Sequence, residues 1–132
     1  MLIQGPSGSG KSQLALALLQ AGDRGVLPFT RLVADDRAEL EAAHGRLLVR
    51  PAPALAGLIE VRGLGIRRVA HEPVAVIGWV VELAAATSER LPEVASQSVE
   101  ISGVRLPRLA VAAGEDSFPP LLALLRTEGR AG

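Results

Sequence analysis

Gly5-Pro6-Ser7-Gly8-Ser9-Gly10-Lys11-Ser12 is the stretch on which the reading of this chain turns. It has the form G-x-x-x-x-G-K-S. In such a loop successive backbone N–H groups curl round a phosphate, the lysine reaches the β/γ oxygens and the serine hydroxyl ligates Mg²⁺. The lysine is informative in itself: Lys and Arg total 14, and Lys11 is the one lysine among them. An ammonium is a compact three-donor point charge on a thin stem, whereas a guanidinium is a wide planar fork. A chain that uses arginine everywhere else thus keeps an ammonium where a phosphate would sit. The flanks suit the motif. Met1 to Gln4 reads as the tail of a strand, and Lys11 to Ala21 reads as a helix. Leu14, Leu16, Leu18 and Leu19 face the core in that reading, with Gly22 at the C-cap.

Outward from the loop, composition narrows the classes. At 132 residues the chain is expected to form one domain able to bury its own core. Hydrophobic residues make up 48%, which argues against disorder, and aromatics only 2%, so the core must be aliphatic. Few aromatics and a formal net charge of zero leave neither a stacking platform nor a basic field, so no nucleic-acid partner is expected. There is no cysteine, which fits a cytoplasmic setting. The longest apolar run, Val74 to Ala86, is interrupted by Glu82 and too short to span a bilayer, so no membrane role is expected.

The pattern along the chain is strand-rich between two helices. Arg31 to Ala34 reads as a strand ending in Asp35-Asp36. Ala38 to Ala42 alternates with period 2 and suits a strand, with a short helix nearly as good. His44-Gly45 reads as a turn, Arg46 to Arg50 as a strand closed by Pro51 and Pro53, and Leu58 to Arg62 as a strand running into a Gly63-Leu64-Gly65 loop. Val74 to Leu83 reads as one buried central strand. Val99 to Ile101 and Val104 to Ala112 form a hairpin-like pair, with Pro107 suggesting an edge or bulge. Ser117 is placed as the cap of a helix through Arg126, with Leu121, Leu122, Leu124 and Leu125 at helical spacing. This is not a regular alternation of strands and helices.

Asp35-Asp36 follows the helix of the phosphate loop. An acid at such a strand end holds Mg²⁺, directly or through water, and in kinases an Asp accepts the proton of the attacking hydroxyl. Taken alone, the pair is equally an ordinary Asp turn. The stretch Ile59-Glu60-Val61-Arg62-Gly63-Leu64-Gly65-Ile66 is the other unusual segment, with an acid and a base two apart on one strand face. Gly-x-Ser-Gly-x-Gly-Lys-Ser, then Leu-Val-Ala-Asp-Asp, then Ile-Glu-Val-Arg-Gly-Leu-Gly-Ile, in this order and at these separations, resembles the catalytic domain of the HPr kinase/phosphorylase family. The resemblance runs on through Val81-Glu82-Leu83, where the family favours Asp, and Glu89-Arg90-Leu91, and fades after about residue 112. The short form is typical of alphaproteobacteria.

The resemblance implies an α/β fold like that of phosphoenolpyruvate carboxykinase: a mixed, strand-rich sheet with a P-loop and flanking helices. It implies transfer of the ATP γ-phosphoryl to a serine of HPr, the small carrier of the phosphotransferase system. In many members the reverse also runs, with inorganic phosphate attacking the phosphoserine to give pyrophosphate. Carried over by position, Gly8, Gly10 and Lys11 cradle phosphate and Ser12 binds Mg²⁺. Asp35 is the general base, Asp36 supports it or the metal, Glu60 completes the metal site, and Arg90 stabilises the transferring charge. Arg62 and its glycine loop would shape the active site. Longer members are hexamers, which makes a homo-oligomer an expectation. The family usually carries a His on the strand and loop before the phosphate loop, and this chain is expected to lack that strand and His. Two other readings stay open on sequence alone: a non-catalytic nucleotide-binding regulator and a small-molecule P-loop kinase. His44 and His71 are isolated and read as solvated, and Arg67-Arg68 reads equally as a solvated pair or a lure for an acidic partner.

Overall fold

Val80–Ala85 is buried on both faces: Val80, Val81, Leu83 and Ala85 lie within the core, and the chain is organised round them. The computed structural model describes residues 1–85 and 97–127. In chain order its strands are β1 (Leu2–Gln4), β2 (Ala38–Ala43), β3 (Arg46–Pro51), β4 (Leu58–Val61), β5 (Gly65–Arg68), β6 (Ala75–Val76), β7 (Val80–Ala85), β8 (Ser98–Ile101) and β9 (Val104–Ala112). The helices are α1 (Lys11–Asp23) and α2 (Phe118–Arg126), with a short 3₁₀ turn at Pro53–Leu55. The fold is thus mixed α/β, rich in strands and poor in helices.

The strands form three sheets rather than the single mixed sheet expected. One has the order β1-β7-β9-β8, another β2-β3-β6, and the third is the β4-β5 hairpin. β1 and β9 both run parallel to β7, with Ile3 opposite Val81 and Val81 opposite Leu109. A strand with neighbours on both edges and layers on both faces is mostly apolar, and here Glu82 alone interrupts the run, its carboxylate engaged by Arg108. Successive side chains still point to opposite faces. Val81 and Leu83 join Leu14, Leu18 and Ala21 of α1 and Leu121 of α2 in one core. Val80 joins Leu47, Val49, Ile77, Val104 and Leu106 in a second. The four-stranded sheet is therefore sandwiched, with helices on one face and the three-stranded sheet on the other.

Several expectations need correction. Val74 to Leu83 is two strands, not one: β6 pairs with β3, β7 belongs to the other sheet, and residues 77–79 cross between them through Gly78. Arg31 to Ala34 forms no strand. A single bridge joins Leu32 to His71, because the following Asp35 is drawn toward α1 instead of continuing a ladder. Gly65 to Arg68 is a strand the sequence reading missed. Pro107 is not at an edge. Residues 104–107 pair with β8 and residues 108–112 with β7, so the proline stands where β9 changes partner and a missing N–H costs little. α1 continues past Gly22 to Asp23, with Arg24 as its C-cap. At α2, Ser117 makes no side-chain cap; the Phe118 N–H donates to Asp116 Oδ1 at 3.1 Å.

Candidate functional site

The loop between β1 and α1 begins with a close approach. A Cβ on Gly5 would lie 2.5 Å from the Ser9 hydroxyl oxygen and 3.1 Å from the Leu83 carbonyl oxygen, so only glycine lets the loop fold down onto β7. At its far end Gly10 has φ 94°, in the left-handed region, and serves as the N-cap of α1. The cap offers no side-chain hydrogen bond, and no acidic residue stands in the first turn. The orphan N–H groups of that turn and the positive end of the helix dipole are left for an anion. Below the loop β7 carries a bulge between Leu83 and Ala85, and Ala84 there has φ 53°.

Three side chains meet beside this helix end. Lys11 Nζ donates to the Gly5 carbonyl at 2.7 Å, spanning the loop from end to start. Ser12 Oγ donates to Asp35 Oδ1 at 2.7 Å, and the backbone N–H of Glu60 donates to Asp35 Oδ2 at 2.9 Å. Asp35 therefore ties α1, the segment after Leu32 and β4 together, although 23 and 25 residues separate it from its partners. Its carboxylate is held by both oxygens, yet each oxygen keeps a further lone pair. Lys11, Ser12, Asp35, Asp36, Glu60 and Arg62 all line one open cleft of about 1090 Å³, ample for a nucleotide. The Ser9 hydroxyl is buried with no partner among the described residues, one consequence of packing the loop against Gly5.

The residues singled out in the sequence thus divide cleanly. Gly5, Gly8, Gly10, Lys11, Ser12, Asp35, Asp36 and Glu60 come together round the cleft. Pro6 and Ser9 line a smaller cavity on the loop's other side, with Leu83 and Ala84 of the bulge; Ser7 and Gly8 border both. Arg90 lies outside the described residues, as does the whole Glu89-Arg90-Leu91 segment. Glu82 is engaged by Arg108, whose Nε lies 2.6 Å from Glu82 Oε2, and so belongs to the β7–β9 pairing. The sequence reading missed the Glu60 backbone N–H as a partner of Asp35, and the anchoring of Lys11 on the Gly5 carbonyl. Neither has a signal in residue type, because both depend on main-chain groups.

The donor set also bears on a metal. Among the described residues no three His, Cys, Asp or Glu side chains cluster closely enough to form a protein cage for a cation. Mg²⁺ does not need one: it binds through one or two carboxylates plus substrate phosphates and keeps several waters. A serine hydroxyl 2.7 Å from a carboxylate, at the N-terminus of α1, fits such a site.

Comparison with known proteins places the chain in a family. Residues 1–115 match the HPr Serine kinase C-terminal domain. The HPr kinase/phosphorylase of Streptococcus gordonii is 37% identical over 123 residues, covering 84% of this chain and 37% of that protein. The Streptococcus thermophilus HPr kinase/phosphorylase is 48% identical over 67 residues, half of this chain and 19% of that protein. The chain therefore spans well under half the length of these curated relatives. Among solved structures, the Hpr(Ser) kinase/phosphatase from Coxiella burnetii superposes with a TM-score of 0.70 over 94% of this chain and 79% of that one, at 23% identity, and so shares the fold. With residues 1–115 of its 132 matched, the chain belongs to the HPr Serine kinase C-terminal domain family.

Proposed function

We propose that this chain is the nucleotide-binding and catalytic unit of a serine protein kinase that moves the γ-phosphoryl of ATP to an HPr-type carrier of the phosphotransferase system. The Gly5–Ser12 loop acts as a P-loop in a phosphoenolpyruvate carboxykinase-like arrangement, in a cytoplasmic protein. The single observation that carries the reading is the Ser12–Asp35 hydrogen bond of 2.7 Å, set beside Lys11 at the N-terminus of a helix with no acidic residue in its first turn. A hydroxyl, a carboxylate and an ammonium converging on an anion-binding helix end are the parts phosphoryl transfer uses.

In this reading the loop amides and Lys11 hold the β- and γ-phosphates, and Lys11 exchanges the Gly5 carbonyl for a phosphate oxygen. Ser12, with Asp36 and Glu60 from the cleft wall, would hold Mg²⁺, which neutralises charge on the phosphates when bound. Asp35 takes the proton of the acceptor serine as its oxygen attacks phosphorus and the bond to ADP breaks. Its fixation by Ser12 and the Glu60 amide orients the carboxylate for that proton. In the reverse direction the same carboxyl returns the proton to the serine oxygen as inorganic phosphate takes the phosphoryl group and leaves as pyrophosphate. Arg90 is assigned to the transferring charge on its sequence position alone.

Asp35→Asn tests the assignment. The amide oxygen can still accept from Ser12, while its NH2 faces the Glu60 N–H and gives up that one bond, so ATP binding through the loop and Lys11 should persist by calorimetry. Transfer to the carrier should fall about 10²–10⁴-fold, the usual loss on removing a general base. Unchanged turnover would overturn the role given to Asp35 and shift it to Asp36.

A further inference from the structure

The loop between β1 and α1 has two sides. Lys11, Ser12 and Asp35 line the large cleft on one of them, and a cavity of about 230 Å³ lies on the other. This cavity sits at the carboxyl ends of two parallel strands, at Leu83 and Ala84 of β7 and Val111 and Ala112 of β9. Ligands of α/β sheets commonly bind outside the carboxyl ends of such strands. Ser7 and Gly8 border the cleft and the cavity alike, so a molecule held by the loop amides can reach into both.

Charge divides the two spaces. Lys11, Arg31, Arg37 and Arg62 line the cleft. Among the described residues no basic side chain lines the cavity, and Glu115 is its one acid. A phosphate is therefore drawn to the cleft, while the cavity suits a neutral group that donates hydrogen bonds. Gly8 and Gly114 in its wall take positive φ, and the Cβ that each lacks would meet no atom within 4 Å. Bare peptide of this kind lets a flat ring approach closely. The β7 bulge adds to it. Ala84 opposes no residue of β9 and is held at φ 53°, a left-handed conformation that residues with a Cβ rarely adopt. Bulges are over-represented beside active sites, where they end strand pairing and re-aim the chain.

We propose that this cavity receives the purine base of the nucleotide whose phosphates lie on the loop, held by main-chain groups and flat contact rather than by charge. The proposal rests on the phosphate-loop reading above and adds to it the place and the chemistry of base recognition. Size agrees: whole-ligand pockets run about 300–1,000 Å³, so this cavity has room for one end of a nucleotide and not for all of it. The cleft beside Lys11 and Asp35 is then left for the phosphates and the acceptor serine. A second anion would find no cation in the cavity to hold it.

Calorimetry tests the proposal by comparing ATP with tripolyphosphate, which offers phosphates without a base, both with Mg²⁺. Wild type should bind ATP the more tightly by about tenfold or more. Ala113→Leu and Ser117→Leu add bulk to the cavity wall from outside the phosphate and metal machinery. In variants whose circular dichroism matches wild type, the two ligands should bind within about threefold of one another, with tripolyphosphate affinity unchanged. Photolabelling needs no substitution: wild type irradiated with 8-azido-ATP should carry the label on tryptic peptide 109–126. Label on residues 31–38 or 55–62 instead would place the base in the cleft and overturn the proposal. So would equal wild-type affinity for ATP and tripolyphosphate, or folded variants that weaken both ligands alike or neither. A wild-type chain that binds neither ligand would overturn the phosphate-loop reading itself, and the base site with it.

Discussion

Gly5 and Lys11 act on one another across the loop, and each can be tested alone. A methyl group at Gly5 would meet Ser9 Oγ and the Leu83 carbonyl, and the latter is backbone that cannot swing away. Gly5→Ala is therefore expected to lift the loop from β7 and reduce the thermal stabilisation given by ATP, with the circular dichroism of the sheet preserved. Lys11→Ala should abolish that stabilisation outright; a variant that responds to ATP like wild type would contradict the role assigned to the ammonium. That Lys11 and Ser12 stand at one cleft was legible from the glycine-loop motif, whereas Asp35, by itself equally an ordinary turn residue, was singled out by the loop together with the family resemblance. The grip of the Glu60 amide on Asp35 was not legible, since a main-chain N–H is the same in every residue but proline.

At the scale of elements, α2 separates what a leucine-rich pattern says from what packing decides. Leu121 is fully buried against the core that contains Val81 and Leu83, whereas Leu125 is 41% exposed. Leu121→Ala should cost about 2–5 kcal/mol by the combined loss of transfer energy and an unfilled cavity. Leu125→Ala should stay within about 0.5 kcal/mol of wild type, as surface changes do. Urea midpoints measure both, and equal losses would mean that α2 docks by a different face. Helical spacing predicted the helix but not which leucine carries it, because four leucines lie within five positions and the stripe is wider than the contact. The same limit explains Val74 to Leu83. An apolar run long enough for one strand has no polar residue to mark the crossing at Gly78, and the sheets on either side of it are both apolar. The β2–β3 hairpin was legible because its turn is explicit: His44 and Gly45 both take positive φ between strands of opposite direction.

Over the whole molecule, β7 joins the two cores and also supports the Gly5–Ser12 loop, which leaves the neighbouring β1. Val80 faces one core and Val81 the other, β1 leads into the loop beside them, and the bulge at Ala84 lies under Gly5. The site is thus built on the most buried strand, where positions are fixed by packing on both faces. Among the described residues no helix is long and apolar enough to cross a membrane. The mixed α/β class and the order of motifs could be read from sequence. The division into three sheets could not, because partner choice between strands depends on contacts far apart in the chain. One reaction tests the proposed kinase activity most directly. Incubating the chain with Mg²⁺, ATP labelled at the γ-phosphate and a purified HPr-type carrier should place the label on a serine of the carrier, identified by mass spectrometry, in amounts that grow with time and disappear with Lys11→Ala. Label recovered on a nucleotide or small molecule instead, or ATP bound with no transfer to the carrier, would contradict it.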